Sequence, residues 1–111
     1  MSPRLASGIW VSAYLARLRL SNIPVYMVSR GDETAGAVMV KLSTLDGQAQ
    51  LFHRSFDLMN DIRIWAVLTE GDEREVDATI ARQRSSDPDL WVLEVEDRDG
   101  RHLLDQSGLS D

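Results

Sequence analysis

The chain reads as an α+β domain, on three observations. Residues Ser7–Asn22 carry apolar side chains at helical spacing. Short runs rich in Val, Ile and Trp follow, with Gly- and Asp-containing breaks between them. A second helical stretch then opens behind Asp72. Strands in blocks, flanked by helices, belong to a sheet with helices packed on it. The expected order is an N-terminal helix, a four-strand antiparallel meander, a second helix, and a C-terminal strand hairpin completing one sheet. A chain of 111 residues suits one domain. Residues 1–106 are assigned to it, and 107–111 are expected to fray.

The first helix should end at Asn22 and Ile23-Pro24, because a proline disfavours helix at the residue before it. At about 100° per residue, Val11, Tyr14, Leu15 and Leu18 share one face, and Ile9, Ala13, Ala16 and Leu20 the opposite one. A helix with two apolar faces is usually buried on both. The first face should meet the domain's own sheet; the second needs another helix or another subunit. Leu5–Val11 has the apolar character of a short signal peptide. Arg17 and Arg19 interrupt it and the helical register runs on, so a folded helix is expected.

Val25–Arg30 and Ala37–Leu42 are the first two strands, with the glycine-bracketed Gly31–Gly36 as a hairpin loop between them. Asp46-Gly47 is a two-residue turn signal, since a type I′ turn needs positive φ at both central positions. It leads into Gln48–Arg54; Asp57–Asp61 is a loop, and Ile62–Glu70 the fourth strand. Asp72 and Glu75 make a capping-box pattern at the start of the second helix, and Arg82 and Arg84 near its end suit the helix dipole. After Asp87-Pro88-Asp89 comes a fifth strand, Leu90–Asp97, which Asp99-Gly100 can turn back towards His102-Leu103-Leu104. The strands are apolar on both faces, and such sheets are normally covered on both. Two helices look too few to do that in a monomer, so a homodimer is expected.

Composition removes whole classes of chemistry. Eighteen acidic against twelve basic residues give a net charge of −6, a field that repels phosphate backbones, so no nucleic-acid partner is expected. Without Cys there is no disulfide, thiolate nucleophile or thiolate metal site, which is compatible with a reducing cytoplasm. No run approaches the ~20 apolar residues of a transmembrane helix. No membrane partner is expected, and the localisation is read as cytoplasmic. No cofactor is expected either: the acids in Arg30–Gly36 would repel a phosphate.

Candidate sites are weak. Glu94, Glu96 and Asp97 are the densest acids, and alternation puts Glu94 and Glu96 on one strand face, where they could share a hard cation such as Mg²⁺. The plainer reading is a strand end whose acids blunt an edge. His53-Arg54-Ser55-Phe56-Asp57 holds a base, a hydroxyl and an acid, but nucleophilic triads are assembled from distant segments, and no nucleophile elbow is present. His53 and His102 lack zinc-ligand spacing. Lys41 is the single lysine among cations that are otherwise all Arg, and a buried, reactive amine is one reading of it. Trp10, Trp65 and Trp91 are read as core or interface anchors.

Arg4–Val11, the stretch from Arg30-Gly31-Asp32 to Lys41, and Leu90–Asp97 together resemble a small alphaproteobacterial family known as domain of unknown function 1491. The resemblance runs from about Arg4 to Leu104 and implies a stand-alone bacterial cytoplasmic protein; it carries no functional residue with it. The function read from the sequence is a non-catalytic protein-interaction module, a homodimer with Ile9, Ala13, Ala16 and Leu20 at its interface. The alternatives are a small metal-dependent hydrolase or nuclease using Glu94, Glu96 and Asp97, and a small-molecule-binding domain with a pocket between sheet and helix.

Overall fold

Seven elements run through residues 5–110, the part of the chain that the computed structural model describes: α1 (Ser7–Leu20), β1 (Val25–Ser29), β2 (Val38–Ser43), β3 (Gln48–Asp57), β4 (Ile62–Asp72), α2 (Glu73–Ser86) and β5 (Trp91–Glu96). The α+β class is as predicted. The strand order is β1-β5-β2-β3-β4, so the meander expectation holds only for β2, β3 and β4. β5 enters between β1 and β2, antiparallel to β1 and parallel to β2, and the sheet is mixed. Gly31–Gly36 therefore does not close a hairpin. The reason lies in β5 itself: Trp91, Leu93 and Val95 project to one face, Leu90 and Val92 to the other, and all five are buried. A strand apolar on both sides gains most at the centre of a sheet covered on both faces.

Those faces define two cores. Val40, Leu42, Phe52, Leu93 and Val95 pack with Trp10, Val11, Tyr14 and Leu18 of α1. Met39, Ala49, Leu51, Leu90 and Val92 pack with Val76 and Ile80 of α2. Adjacent strand residues alternate between the two sets, so the helices lie on opposite faces and one chain covers the middle of its own sheet. α1 closes with a Schellman pattern: Asn22 takes positive φ, its amide donates to Arg19, and the Ile23 amide reaches Leu18. α2 opens with the Asp72 carboxylate accepting from the Arg74 amide.

Three local expectations change. The β2–β3 connection is the four-residue loop 44–47, with positive φ at Leu45 and Gly47, rather than a two-residue turn; Asp46 holds it by accepting from Thr44 Oγ1 and the Gln48 amide. His102–Leu104 forms no strand: Leu103 adopts positive φ and Leu104 is buried against the α1 core. Residues 107–110 do not fray. Leu109 is buried, and its carbonyl accepts from Trp10 Nε1, Trp65 Nε1 and Arg54; Asp111 lies outside the described residues.

β3 and β4 are also longer than the other strands, and β2 pairs only with Ala49–Phe52 of β3. Beyond Phe52 they continue as a two-stranded arm. Its tip exposes Phe56, Leu58, Met59 and Ile62.

Candidate functional site

The acids singled out on β5 do not gather. Glu94 and Glu96 project to the α2 face, as alternation requires, but each has a separate neighbour. Glu94 lies opposite Lys41 in the parallel ladder and accepts from its ammonium at 3.2 Å. Glu96 sits beside the Tyr26 hydroxyl, whose pKa its negative charge raises. Asp97 is clasped by Arg101, through the backbone amide and two guanidinium nitrogens at 2.7–3.0 Å; that side-chain bond holds its carboxyl below the usual range against a small opposing burial. Among the described residues no three His, Cys, Asp or Glu side chains are arranged to hold a metal ion.

Lys41 is the centre of a cluster instead. Its side chain is 3% exposed and its ammonium contacts Asp77 at 2.7 Å and Glu73 at 2.9 Å besides Glu94. Glu73 and Asp77 are four residues apart in the first turns of α2, so helical geometry puts both carboxylates on the inward face. Burial on its own would lower the lysine pKa; the bonds to Asp77, Glu73 and Glu94 outweigh it and raise it above the ordinary value. Lys41 is thus a fixed cation that ties β2, β5 and α2 together, and the reactive-amine reading is not supported: a raised pKa keeps the nitrogen lone pair protonated.

A concave feature lies on the other face. A cavity of about 280 Å³ opens between the first turn of α1, the loop at 34–36 and the arm, walled by Trp10, Trp65, Arg54, Arg63, Ser7 and Thr34 among others. Antiparallel pairing sets Arg54 opposite Trp65, and the guanidinium carbon stacks 4.4 Å from the indole centroid. Trp10 lies 5.1 Å from Trp65. The loop forming the rim is held firmly: Ser7 and Gly8 amides donate to Thr34 and Glu33 carbonyls, and Ser7 Oγ to the Gly36 carbonyl. A Cβ at Gly8 would collide with the Glu33 carboxylate, and one at Gly31 or Gly36 with the Asp89 carbonyl. Those glycines serve close approach of chain segments, not a phosphate.

His53 and Ser55 lie on the α2 side of the arm, half-buried, away from Arg54, while Asp57 caps the arm's turn by accepting from Met59 and Asn60. That run assembles no triad. Sequence reasoning allowed a pocket between sheet and helix but named none of its walls, because they come from four segments. One signal was present: pairing across a loop at 58–61 places Arg54 opposite Trp65 and brings Arg63 to the same face.

The family model described as "Protein of unknown function (DUF1491)" matches residues 5–105. The chain belongs to the DUF1491 family. A crystal structure of a DUF1491 family protein from Caulobacter crescentus shares 38% identity with it, covering 92% of this chain and 94% of that one, at a TM-score of 0.80. An NMR structure of a DUF1491 family protein from the same organism gives 37% identity, 94% and 96% coverage, and 0.79. The solution structure of protein Atu0922 from A. tumefaciens gives 28%, 85% and 86%, and 0.70. A search of curated proteins found no match. In this DUF1491 chain the stretches that carried the resemblance, Arg4–Val11, Arg30–Lys41 and Leu90–Asp97, meet from Leu5 onward where α1, the rim loop and β5 touch. They mark how the fold closes.

The remaining candidate is the outer face of α1. Val11, Tyr14 and Leu18 are buried inward with Leu15 packed beside them. Ile9 and Leu20 are 60% and 85% exposed, and Ala13 and Ala16 are exposed between them. No helix among the described residues is long and apolar enough to cross a membrane.

Proposed function

We propose that this protein is a cytoplasmic, non-catalytic interaction module that works as a homodimer, with Ile9, Ala13, Ala16 and Leu20 forming the seam. The observation that carries the reading is the order of those residues along a helix whose inner face is already fully used by its own core. The stripe reads large-small-small-large, and it is symmetric about its midpoint. Two copies of α1 crossing antiparallel on a two-fold axis would set Ile9 against Leu20 of the partner subunit. The two alanines would meet at the axis, where small side chains let helices approach to about 8 Å. The stripe is narrow, so the association should be of micromolar strength. The carboxylates of β5 support the non-catalytic part of the reading, because each is spent on a separate structural contact.

The test is mass in solution. At ~100 μM, well above a micromolar Kd, light scattering after size exclusion should give twice the 12.5 kDa of the chain. Ala16→Glu should return the protein to a folded monomer with an unchanged circular dichroism spectrum, and it should lose the concentration dependence of melting temperature that a native-state dimer confers. A wild-type monomer at that concentration would sink the proposal.

A further inference from the structure

The outer stripe of α1 is flanked by charge, and its two flanks differ. Taken at about 100° per residue, Arg17 lies roughly 70° to one side of the stripe's midline and Arg19 roughly 90° to the other. Arg17 is used within the chain, on Gln106 and the Ser107 carbonyl. Arg19 is exposed, and among the described residues its guanidinium has no hydrogen bond or ion pair. The same flank holds an anion at the opposite end of the helix. α1 has no acidic residue in its first turn. Gly8, on Arg19's side at roughly 110° from the midline, instead leaves its Cβ position to Glu33, whose Oε2 is the atom that a Cβ there would strike. The Gly8 amide donates to the Glu33 carbonyl at 2.8 Å, and Arg30 donates to Oε1 at 2.8 Å. Glu33 thus stands in for a side chain of the helix, at the end where the macrodipole favours negative charge. It is 61% exposed, so a partner can reach it.

These two charges complement each other across a two-fold axis. An antiparallel crossing that sets Ile9 against Leu20 and Ala13 against Ala16 brings Arg19 to the level of Trp10 of the partner subunit. It also keeps each flank beside the same flank of the partner. Gly8 lies two residues from Trp10, about 3 Å along the axis. With axes about 8–10 Å apart and crossing at about 20°, the long arginine stem spans the gap to the carboxylate over that glycine. Symmetry repeats the contact at the other end of the seam. A parallel pair does the reverse. It sets the Arg19 flank against the Arg17 flank, where like charges repel.

Given the α1 homodimer, on which this rests, we propose that both ends of the seam are closed by an ion pair between Arg19 and Glu33 of the partner subunit. The apolar stripe supplies the contact, and the two ion pairs fix its direction, so that the helix accepts a second copy of this chain in the antiparallel sense alone.

Charge reversal in the full-length protein is the test. Wild type, Arg19→Glu and Glu33→Arg are compared by sedimentation velocity at ~10 μM, where a dimer of micromolar Kd is mostly assembled. One exposed ion pair contributes little, but each reversal turns two attractions into two repulsions. Either variant alone should therefore dimerise at least about tenfold more weakly than wild type. An equimolar mixture of the two should recover the wild-type affinity, because the mixed dimer holds one native pair and one reversed pair. Circular dichroism checks that each variant is folded. If one is not, Arg19→Gln and Glu33→Gln replace them in a double-mutant cycle, where the second neutralisation should cost nothing once the first is made. Reversals that dimerise as tightly as wild type, a mixture that stays monomeric, or additive costs in the cycle would overturn the ion pair and leave the seam standing. A wild-type monomer at ~100 μM would remove the seam itself, and the ion pair with it.

Discussion

Removing the Lys41 charge should be among the costliest single changes in the chain. In Lys41→Met the side chain keeps its length and apolar stem and loses only the ammonium. The native Lys41 side chain is 3% exposed and its ammonium sits 2.7–3.2 Å from three carboxylates, whose own side chains are 55%, 34% and 25% exposed for Asp77, Glu73 and Glu94. Breaking a buried ion pair by removing one partner costs roughly 3–5 kcal/mol, because a charge is left without compensation. Here the three acids left behind keep part of their water, which draws the expected cost down to about 2–3 kcal/mol. For a domain of this size that is roughly 8–12 °C of melting temperature. Glu94→Gln removes one partner of three and should cost about 1 kcal/mol, more than the solvated strand-end acid read from the sequence would. In Lys41→Met/Glu94→Gln the second change should cost less than it does alone, since its partner has already gone. The pH dependence has a definite sign. The lysine pKa is raised on folding, so its contribution is complete below the ordinary value of 10.5 and is lost only as pH climbs through the folded value. The gap between wild type and Lys41→Met should therefore be flat from neutrality to about pH 10. Thermal melts followed by circular dichroism would read both. A Lys41→Met protein melting within about 2 °C of wild type would refute the reasoning.

Two further outcomes follow from the same structure. His102 has its pKa lowered, by burial first and against the pull of Asp105, and its Nδ1 accepts from the Leu104 amide at 3.0 Å. The folded state therefore favours the neutral ring, and stability should fall as pH drops below about 6.5; a urea midpoint that stays as steep over this window in His102→Gln would show that the histidine is not the source. With a net charge of −6 and cations drawn into internal contacts, a gel shift should detect no DNA or RNA binding near physiological salt. Micromolar binding with a steep salt slope would reveal a basic surface that this account lacks.

Much of the fold was legible in the sequence because local signals were strong. The α1 inner face, the breaks around Gly31–Gly36 and 58–61, the Asp72 cap and the β5 boundaries all rest on periodicity or turn chemistry, which act over a few residues. The strand order was not legible, and β5 shows why. A strand apolar on both faces is recognisable as central, yet nothing local says which two strands it will separate. Adjacency in sequence favours a meander, and here burial of Trp91, Leu93 and Val95 over α1 prevailed. The tail was misread for a related reason: Ser107–Ser110 has the composition of a loose end, and what holds it comes from distant segments, the three donors converging on the Leu109 carbonyl together with Arg17 on Ser107 and Arg54 on Ser110.

The basic residues carry the deepest part of that lesson. Scattered along the chain they looked like ordinary surface charge. In the fold several of them join segments far apart in sequence: Lys41 reaches Glu73, Asp77 and Glu94, Arg17 reaches Gln106 and Ser107, and Arg54 reaches Leu109 and Ser110. An acidic chain of this size has few cations, and placing them at such junctions does two things at once. It compensates carboxylates and terminal carbonyls that would otherwise face one another or stand unpaired. It also withdraws positive charge from the open surface. Net charge, which averages over all positions, conceals such an arrangement. A functional reading of this protein therefore turns on where its cations stand rather than on how many it has.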